Sequence, residues 1–322
     1  MIDIKYTLTI THNNIMYIPS VLDGVKWETE RKGTQGKLSF SMLLDENIVF
    51  EEGDRVLFKV GDKAVFSGFI FSLKNSKENT VSVTAYDQIR YLKNKHTYNF
   101  EDLYLNDVIL QIAEDFKLQV GTLQSTNFKI DSIIYDNQPL IDIIQNLIDL
   151  HLACTNQLYV FYDDVGKLTL KNLSSMKTTV LIDDSSCEDY DFQTSIDNNV
   201  YNQVVIYYNN KETSTRELYI AKDSNNINQW GVLQFLEEAK EQGNAKNKAD
   251  KLLELYNTKA KSLTIKNAIG HPEVRAGSLV MISLKVRNET INNYMLVEKC
   301  THNFEENHHT MNLTLKGGTF YA

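Results

Sequence analysis

Hydrophobic and polar positions alternate with period two through most of the first ninety residues. Tyr6, Leu8 and Ile10 interleave with Thr7, Thr9 and Thr11, and Leu38, Phe40 and Met42 interleave with Ser39 and Ser41. Val56, Phe58 and Val60 follow a turn signal at Gly53-Asp54. Ala64 to Phe71 is nearly continuously apolar, and Val81, Val83 and Ala85 alternate again. Period two places successive side chains on opposite faces of a strand, and short strands separated by Gly-Asp and Asn-rich turns predict a small antiparallel barrel or sandwich.

The period then changes. Leu105, Val108, Ile109, Ile112, Ala113 and Phe116 recur at helical spacing and predict one amphipathic face. A second helix is expected to start at Pro139, a residue favoured at the first helical position, with the stripe Leu140, Ile143, Ile144, Leu147 and Ile148. The segment QLYVFYDDVGKLTLKNL reads as a hairpin with its turn at Asp163 to Gly166. From about 187 strands return in NQVVIYYNN and near Tyr219. A third helix is expected over roughly 233–258, with Ala245, Ala249, Leu252, Leu253 and Tyr256 on one stripe. Strands resume at Leu263, at Val280 to Val286, at Tyr294 to Val297 and at Met311 to Leu315.

A weak internal echo runs through this pattern. EGDRVLFKV (52–60) matches AGSLVMISL (276–284) in kind and order. Each is followed by an apolar strand (FSGFIF, NYMLVE), a polar loop holding Glu78-Asn79 or Glu306-Asn307, and an alternating strand (VSVTA, MNLTL). The expected architecture is mainly β, with two similar small antiparallel barrels flanking an α+β unit. The boundaries are 1–95, 96–186 and 187–322, the last carrying the helix near 233–258.

Composition narrows the function. Of 322 residues, 42% are hydrophobic and 23% charged, with only 14 Gly and 3 Pro, which is globular composition without long flexible linkers. No apolar run approaches the roughly 20 residues of a membrane span, and the first ten residues lack the features of a secretory signal, so folding in a cytosol is expected. Lys and Arg number 33 against 42 Asp and Glu, for a net charge of −9. A DNA-coating role needs a basic face, and no basic cluster longer than two residues is present. Cys154, Cys187 and Cys300 lie far apart with no CxxC, which points to reduced thiols rather than a disulfide framework or zinc site.

Catalytic signatures are sparse. There is no GxSxG elbow, GxxxxGK[ST] loop, GxGxxG or HExxH. His302, His308 and His309 could help bind a metal, but read better as surface residues of a polar loop. The acid pairs Asp163-Asp164, Asp183-Asp184 and Glu305-Glu306 do not by adjacency create two carboxylates facing across a cleft, and Asp163-Asp164 reads as the hairpin turn. Cys154 with His151 is better explained as a buried thiol at a helix end than as a nucleophile and base. Trp27 and Trp230 could offer carbohydrate platforms, although aromatics in short strands are more often core or interface residues. No catalytic, cofactor-binding or metal-ligating residue is therefore assigned, and no cofactor.

The segment EEGDRVLFKVGDKAVFSGFIFSLKNSKENTVSVTAYDQIRYLKN, preceded by GVKWETERKGTQGKLSFSM, resembles the first barrel of the XkdQ/YqbQ family of PBSX-like prophages. YDNQPLIDIIQNLIDLHLACTNQLYVFYDDVGKLTL is similar to the helix-then-hairpin unit of gpD- and VgrG-type hubs, and YNQVVIYYNN, GVLQ and RAGSLVMISL follow in the same order. The resemblance implies a baseplate hub of a contractile phage tail or phage-tail-like bacteriocin. It implies a homotrimer whose partners are the tail tube protein or tube initiator and the central spike, with the tape-measure and baseplate wedge proteins also in reach. It implies neither sequence-specific nucleic-acid binding nor a membrane span. The alternatives are a tail-associated peptidoglycan hydrolase and a surface-glycan-binding module.

Overall fold

The computed structural model describes residues 5–197, 199–210, 215–239, 245–286, 289–305 and 308–317. The chain is mainly β, as expected. It opens with β1 (Tyr6–His12), β2 (Ile15–Tyr17), β3 (Val25–Glu30), β4 (Lys37–Leu43), β5 (Arg55–Val60), β6 (Lys63–Asn75) and β7 (Thr80–Tyr86). These strands pair antiparallel in the order β3-β4-β7-β6-β5-β1, with β2 a short hairpin partner of β1. The sheet curls so that Leu8 and Ile10 of β1 share one core with Trp27 of β3, Phe40, Phe58 and Ile70.

The middle of the chain holds β8 (Lys95–Tyr104), α1 (Leu105–Asp115), β9 (Val120–Leu123), β10 (Lys129–Pro139), α2 (Leu140–Thr155), β11 (Tyr159–Asp163) and β12 (Leu168–Asn172). The stripe of α1 is buried as its spacing predicts: Leu105, Val108, Ile109, Ile112 and Ala113 all face the core. Pro139 ends β10 and caps α2, so the helix starts one residue later than expected. The hairpin β11–β12 turns at Asp163–Gly166, where Asp163 accepts from the Gly166 backbone N–H. Gln138 and Pro139, at the end of β10, pair back to His96 and Lys95, a long-range ladder with no local signal in the sequence.

Next come β13 (Lys177–Asp183) and β14 (Asp189–Ser195), then β15 (Gln203–Asn210), β16 (Thr215–Lys222), α3 (Ser224–Trp230), β17 (Gln234–Glu238) and α4 (Ala245–Tyr256). They are followed by β18 (Ala260–Ile269), β19 (Leu279–Val286), β20 (Glu289–Glu305) and β21 (His308–Gly317). The helix expected over 233–258 is corrected at its start: Gln234–Glu238 is a strand, recruited by parallel pairing to β15, and residues 240–244 lie outside the described set. The rest of that helix is α4, whose Ala245, Ala249 and Leu252 pack on Val204 and Ile206 of β15. β15, β16 and β17 form a separate three-stranded sheet inserted between β14 and β18.

The remaining late strands run in the order β14-β18-β21-β20-β19-β13. This repeats the first barrel position for position: β13, β14, β18, β19, β20 and β21 stand where β1, β3, β4, β5, β6 and β7 stand. The repeat extends to detail. Gly53 N–H bonds Ile70 O (2.8 Å) and Ile70 N–H bonds Asp54 O (2.8 Å); correspondingly, Gly277 N–H bonds Val297 O (2.8 Å) and Val297 N–H bonds Ser278 O (2.9 Å). Both glycines sit at positive φ, +96° and +90°, a conformation glycine adopts without strain. Both long strands carry a bulge directly after this point, between Ile70 and Ser72 and between Val297 and Lys299. The stretch 306–307 of the sequence echo lies outside the described residues. One pairing differs: β1 runs antiparallel to β5, whereas β13 runs parallel to β19.

Candidate functional site: the seam between the barrels

Among the described residues, the two barrels join along one strand pair, β20 with β3. β20 is 17 residues long. On one edge its first half pairs with β19, and beyond the bulge the same edge pairs antiparallel with β3, from Lys299 opposite Glu30 to Phe304 opposite Val25. One continuous sheet therefore runs through both barrels. Arg31 grips Glu298 with two charge-assisted bonds of 2.9 and 2.8 Å, and Lys299 pairs with Glu30 at 3.0 Å. Phe304 crosses the seam into the first core, with ring centroids 5.0 Å from Phe58 and 5.9 Å from Tyr6.

Two of the three candidate histidines meet here, and they are not on the surface. His302 and His309 are 0% and 5% exposed, because strand pairing turns both toward the barrel junction, whereas His308 is exposed. His302 stacks on Trp27 at 4.7 Å and hydrogen-bonds Val274 O (2.8 Å), with Cys300 Sγ at 3.1 Å. His309 stacks on Phe304 at 4.1 Å, and its Nε2 lies 2.8 Å from His302 Nδ1. Two neutral rings satisfy this chain: His309 Nε2–H donates to His302 Nδ1, and His302 Nε2–H donates to Val274 O. Burial pushes the pKa of His302 down to about 4 and, aided by the neighbouring His302, that of His309 down to about 3. Among the described residues no group of three or more His, Cys, Asp or Glu is arranged to hold a metal ion.

A second junction ties both barrels to the middle unit. Asp87, at the end of the first barrel, accepts from Gly36 N–H (2.8 Å) and Ile89 N–H (3.1 Å). Asp163 of the hairpin and Arg275 of the second half lie beside it. Arg275 donates to Asp163 O (2.9 Å) and stacks its guanidinium over Tyr162 at 4.0 Å. Burial, and then the neighbouring Asp163 charge, raises Asp87 well above the usual carboxylate range; burial raises Asp163 as well. Asp87 and Asp163 are 4% and 5% exposed. Sequence reasoning missed Asp87 and Arg275, which sit about 190 positions apart and meet only through the barrel packing.

The other candidates stay apart. Asp164 lies in the hairpin turn, its backbone N–H bonded to Lys167 O, and Asp183 accepts from Ser185 N–H and Oγ in a local turn that lowers its pKa. Glu305 is exposed at the end of β20, and Glu306 lies outside the described residues. His151 is buried between Phe128 and Tyr159 and faces Gln157 O and Thr155 Oγ1. Burial raises the Cys154 thiol, which disfavours the thiolate a nucleophile needs. Trp27 is 3% exposed inside the seam, and Trp230 ends α3 in the inserted unit, so the two form no shared platform.

The YQBQ-like family profile matches residues 25–316, nearly the whole span from β3 to β21. The phage-like element PBSX protein XkdQ of Bacillus subtilis is 32% identical over 268 residues, which cover 81% of each chain. The chain belongs to the YQBQ-like family. Its fold is shared with the 43 kDa tail protein of prophage MuSo2 from Shewanella oneidensis, at a TM-score of 0.72 and 12% identity over 96% of this chain and 98% of that one. It is also shared with the E. coli c3393 protein, a type VI secretion component described as similar to the T4 tail proteins gp27 and gp5. That match has a TM-score of 0.57 and 10% identity over 98% of this chain and 78% of that one. YQBQ-like membership thus agrees with the resemblance carried by the GD-turn, FSGFIF and AYDQIRYL segments.

Proposed function

We propose that this YQBQ-like chain is a structural baseplate hub of a phage tail or phage-tail-like particle. In this reading three copies form a ring that adapts a six-fold tail tube to a three-fold central spike. The observation that carries it is the repeated barrel. Two barrels of the same strand order in one chain make six similar barrels in three chains, and six similar surfaces suit a hexameric tube. The units that are not repeated, the middle of the chain without β13 and the inserted β15–β17 sheet, occur three times in such a ring and suit a trimeric spike. The barrels within 1–95 and 187–322, the second completed by β13, are then tube-facing, and the rest of the middle unit is spike-facing. Kinship with XkdQ and the tail-protein fold support the same reading.

The charge is compatible with a conduit. Three chains carry −27, three times −9, and a negative wall passes DNA or a tape-measure protein without gripping it. Partners are the tube or its initiator, the spike and the tape measure. The site of action is the particle, after assembly in the host cytoplasm. The role is scaffolding rather than catalysis, in keeping with acids and histidines that are buried in junctions.

Deletion of the gene in a producing cell tests this. Particles imaged by electron microscopy should lack complete baseplates, and complementation should restore them. Normal tails that fail only to degrade cell wall would point to the hydrolase instead.

A further inference from the structure

The seam between the barrels leaves one strand edge and one partner strand unused, and the two match. On β20 the edge beyond the bulge, from Lys299 to Phe304, is filled by β3. The equivalent edge on β6 begins at Ser72, after the corresponding bulge. Its other edge pairs with β7 through Asn75, but on the β5 side the pairing stops at Phe69. Among the described strands, none occupies the β5-side edge of Ser72–Asn75. Conversely, the second barrel's counterpart of β3 is β14, which ends the strand order with its outer edge unpaired among the described residues. An unpaired edge is a template for another strand.

We infer that the edge Ser72–Asn75 of β6 pairs antiparallel with β14 of a neighbouring copy, repeating between chains the β20–β3 pairing found within each chain. This rests on the trimeric reading above and gives it a register. Strand alignment makes Trp27 equivalent to Phe192, Lys26 to Asp191 and Glu30 to Ser195, through the matched ladders β3–β4–β7 and β14–β18–β21. Ser72 then faces Ser195 of the neighbour, Leu73 faces Thr194, Lys74 faces Gln193 and Asn75 faces Phe192.

Two further features favour this occupant. The first is charge. The β6 edge carries Lys74 and, just beyond it, Lys77, while β14 carries Asp189 and Asp191. The intramolecular seam has the same polarity, with Lys299 on the long strand and Glu30 on its partner. In the inferred register Lys74 lies diagonal to Asp191 on one face, within reach of a lysine side chain. The second is burial. Cys300, Trp27 and Val25 are fully covered in the existing seam, whereas their equivalents Leu73, Phe192 and Tyr190 are only half-buried. The link is heterologous, long strand onto second strand each time, and such links form closed rings when the rotation permits.

The test uses the full chain with Cys154 and Cys187 replaced by serine, carrying Ser72→Cys and Ser195→Cys. A short bis-maleimide should produce covalent dimers and trimers, while either cysteine alone should leave monomers on a denaturing gel. In parallel, Lys74→Glu and Asp191→Lys should each weaken association roughly fivefold per interface, and the double variant should restore it. Trimers by light scattering that neither cross-link nor respond to charge reversal would overturn the pairing and leave the hub reading standing. A monomer at every concentration, without cross-links and with the spike present, would overturn the pairing, and cell-wall cleavage by that monomer would overturn the hub reading as well.

Discussion

The two barrels share a strand order but are held differently. In the first, the edge strand β1 lies antiparallel to β5 as part of an all-antiparallel sheet; in the second, its counterpart β13 arrives from the middle unit and lies parallel to β19. The repeated turns differ in the same way. A methyl group on Gly53 would meet nothing within 4 Å, whereas one on Gly277 would clash with Val160 Cγ1 of the hairpin. Where the first barrel has Asn75 and Asn79, the second has His302 and His309, buried against Trp27 and Phe304. The first copy thus keeps an open edge and an open turn, while the second uses both to fasten the rest of the chain. The repeated strand order supplies the frame, and the differences record which contacts are made within the chain.

The largest expected break in that comparison comes from the seam aromatic. Trp27→Ala should cost about 3–5 kcal/mol in denaturant unfolding. The equivalent Phe192→Ala, on a half-buried edge, should cost the isolated chain about 1 kcal/mol. Equal losses would mean that the seam is no more tightly packed than the free edge.

The histidine pair should come next. Both folded pKa values lie below the usual histidine value, so between pH 6.5 and about 4 the unfolded chain binds more protons than the folded one. Stability conferred by the neutral pair is therefore full above pH 6.5 and is lost as pH falls toward 4, by about 3 kcal/mol for His302 alone. The raised pKa values of Asp87 and Asp163 act in the opposite direction, because protonation relieves their burial. Thermal unfolding across this range should show the histidine slope. In the variant carrying His302→Asn and His309→Asn, which copies the first barrel, the slope should flatten even if overall stability drops.

Smaller effects separate the turns and the rim. Gly277→Ala combines strained φ with a clash on Val160 and should destabilise by about 2–3 kcal/mol, against about 1 kcal/mol for Gly53→Ala, where only φ is strained. Lys299→Ala removes a half-exposed ion pair and should cost less than about 1 kcal/mol by the same measurement.

Local features were legible before the structure. The α1 and α2 stripes, the β11–β12 turn and the matched GDRV and AGSLV starts all depend on neighbours within a few residues, and each lies where its period put it. What escaped depends on distant pairing. Gln234–Glu238 became a strand because β15 offered an edge 31 positions earlier. His302 and His309 looked like loop residues because nothing nearby in sequence announces that β3 will cover them. Asp87 and Arg275 carry no motif at all. The seam was hidden for the same reason: its strands come from opposite ends of the chain.

The most direct test of the hub account is light scattering on a size-exclusion peak of the purified chain, with negative-stain imaging of the same fraction. The account predicts a mass near 111 kDa, three times 37.0 kDa, and open rings with three-fold symmetry and six similar lobes. A chain that stays at 37.0 kDa at every concentration and with its spike present, and that cleaves cell wall, would contradict it.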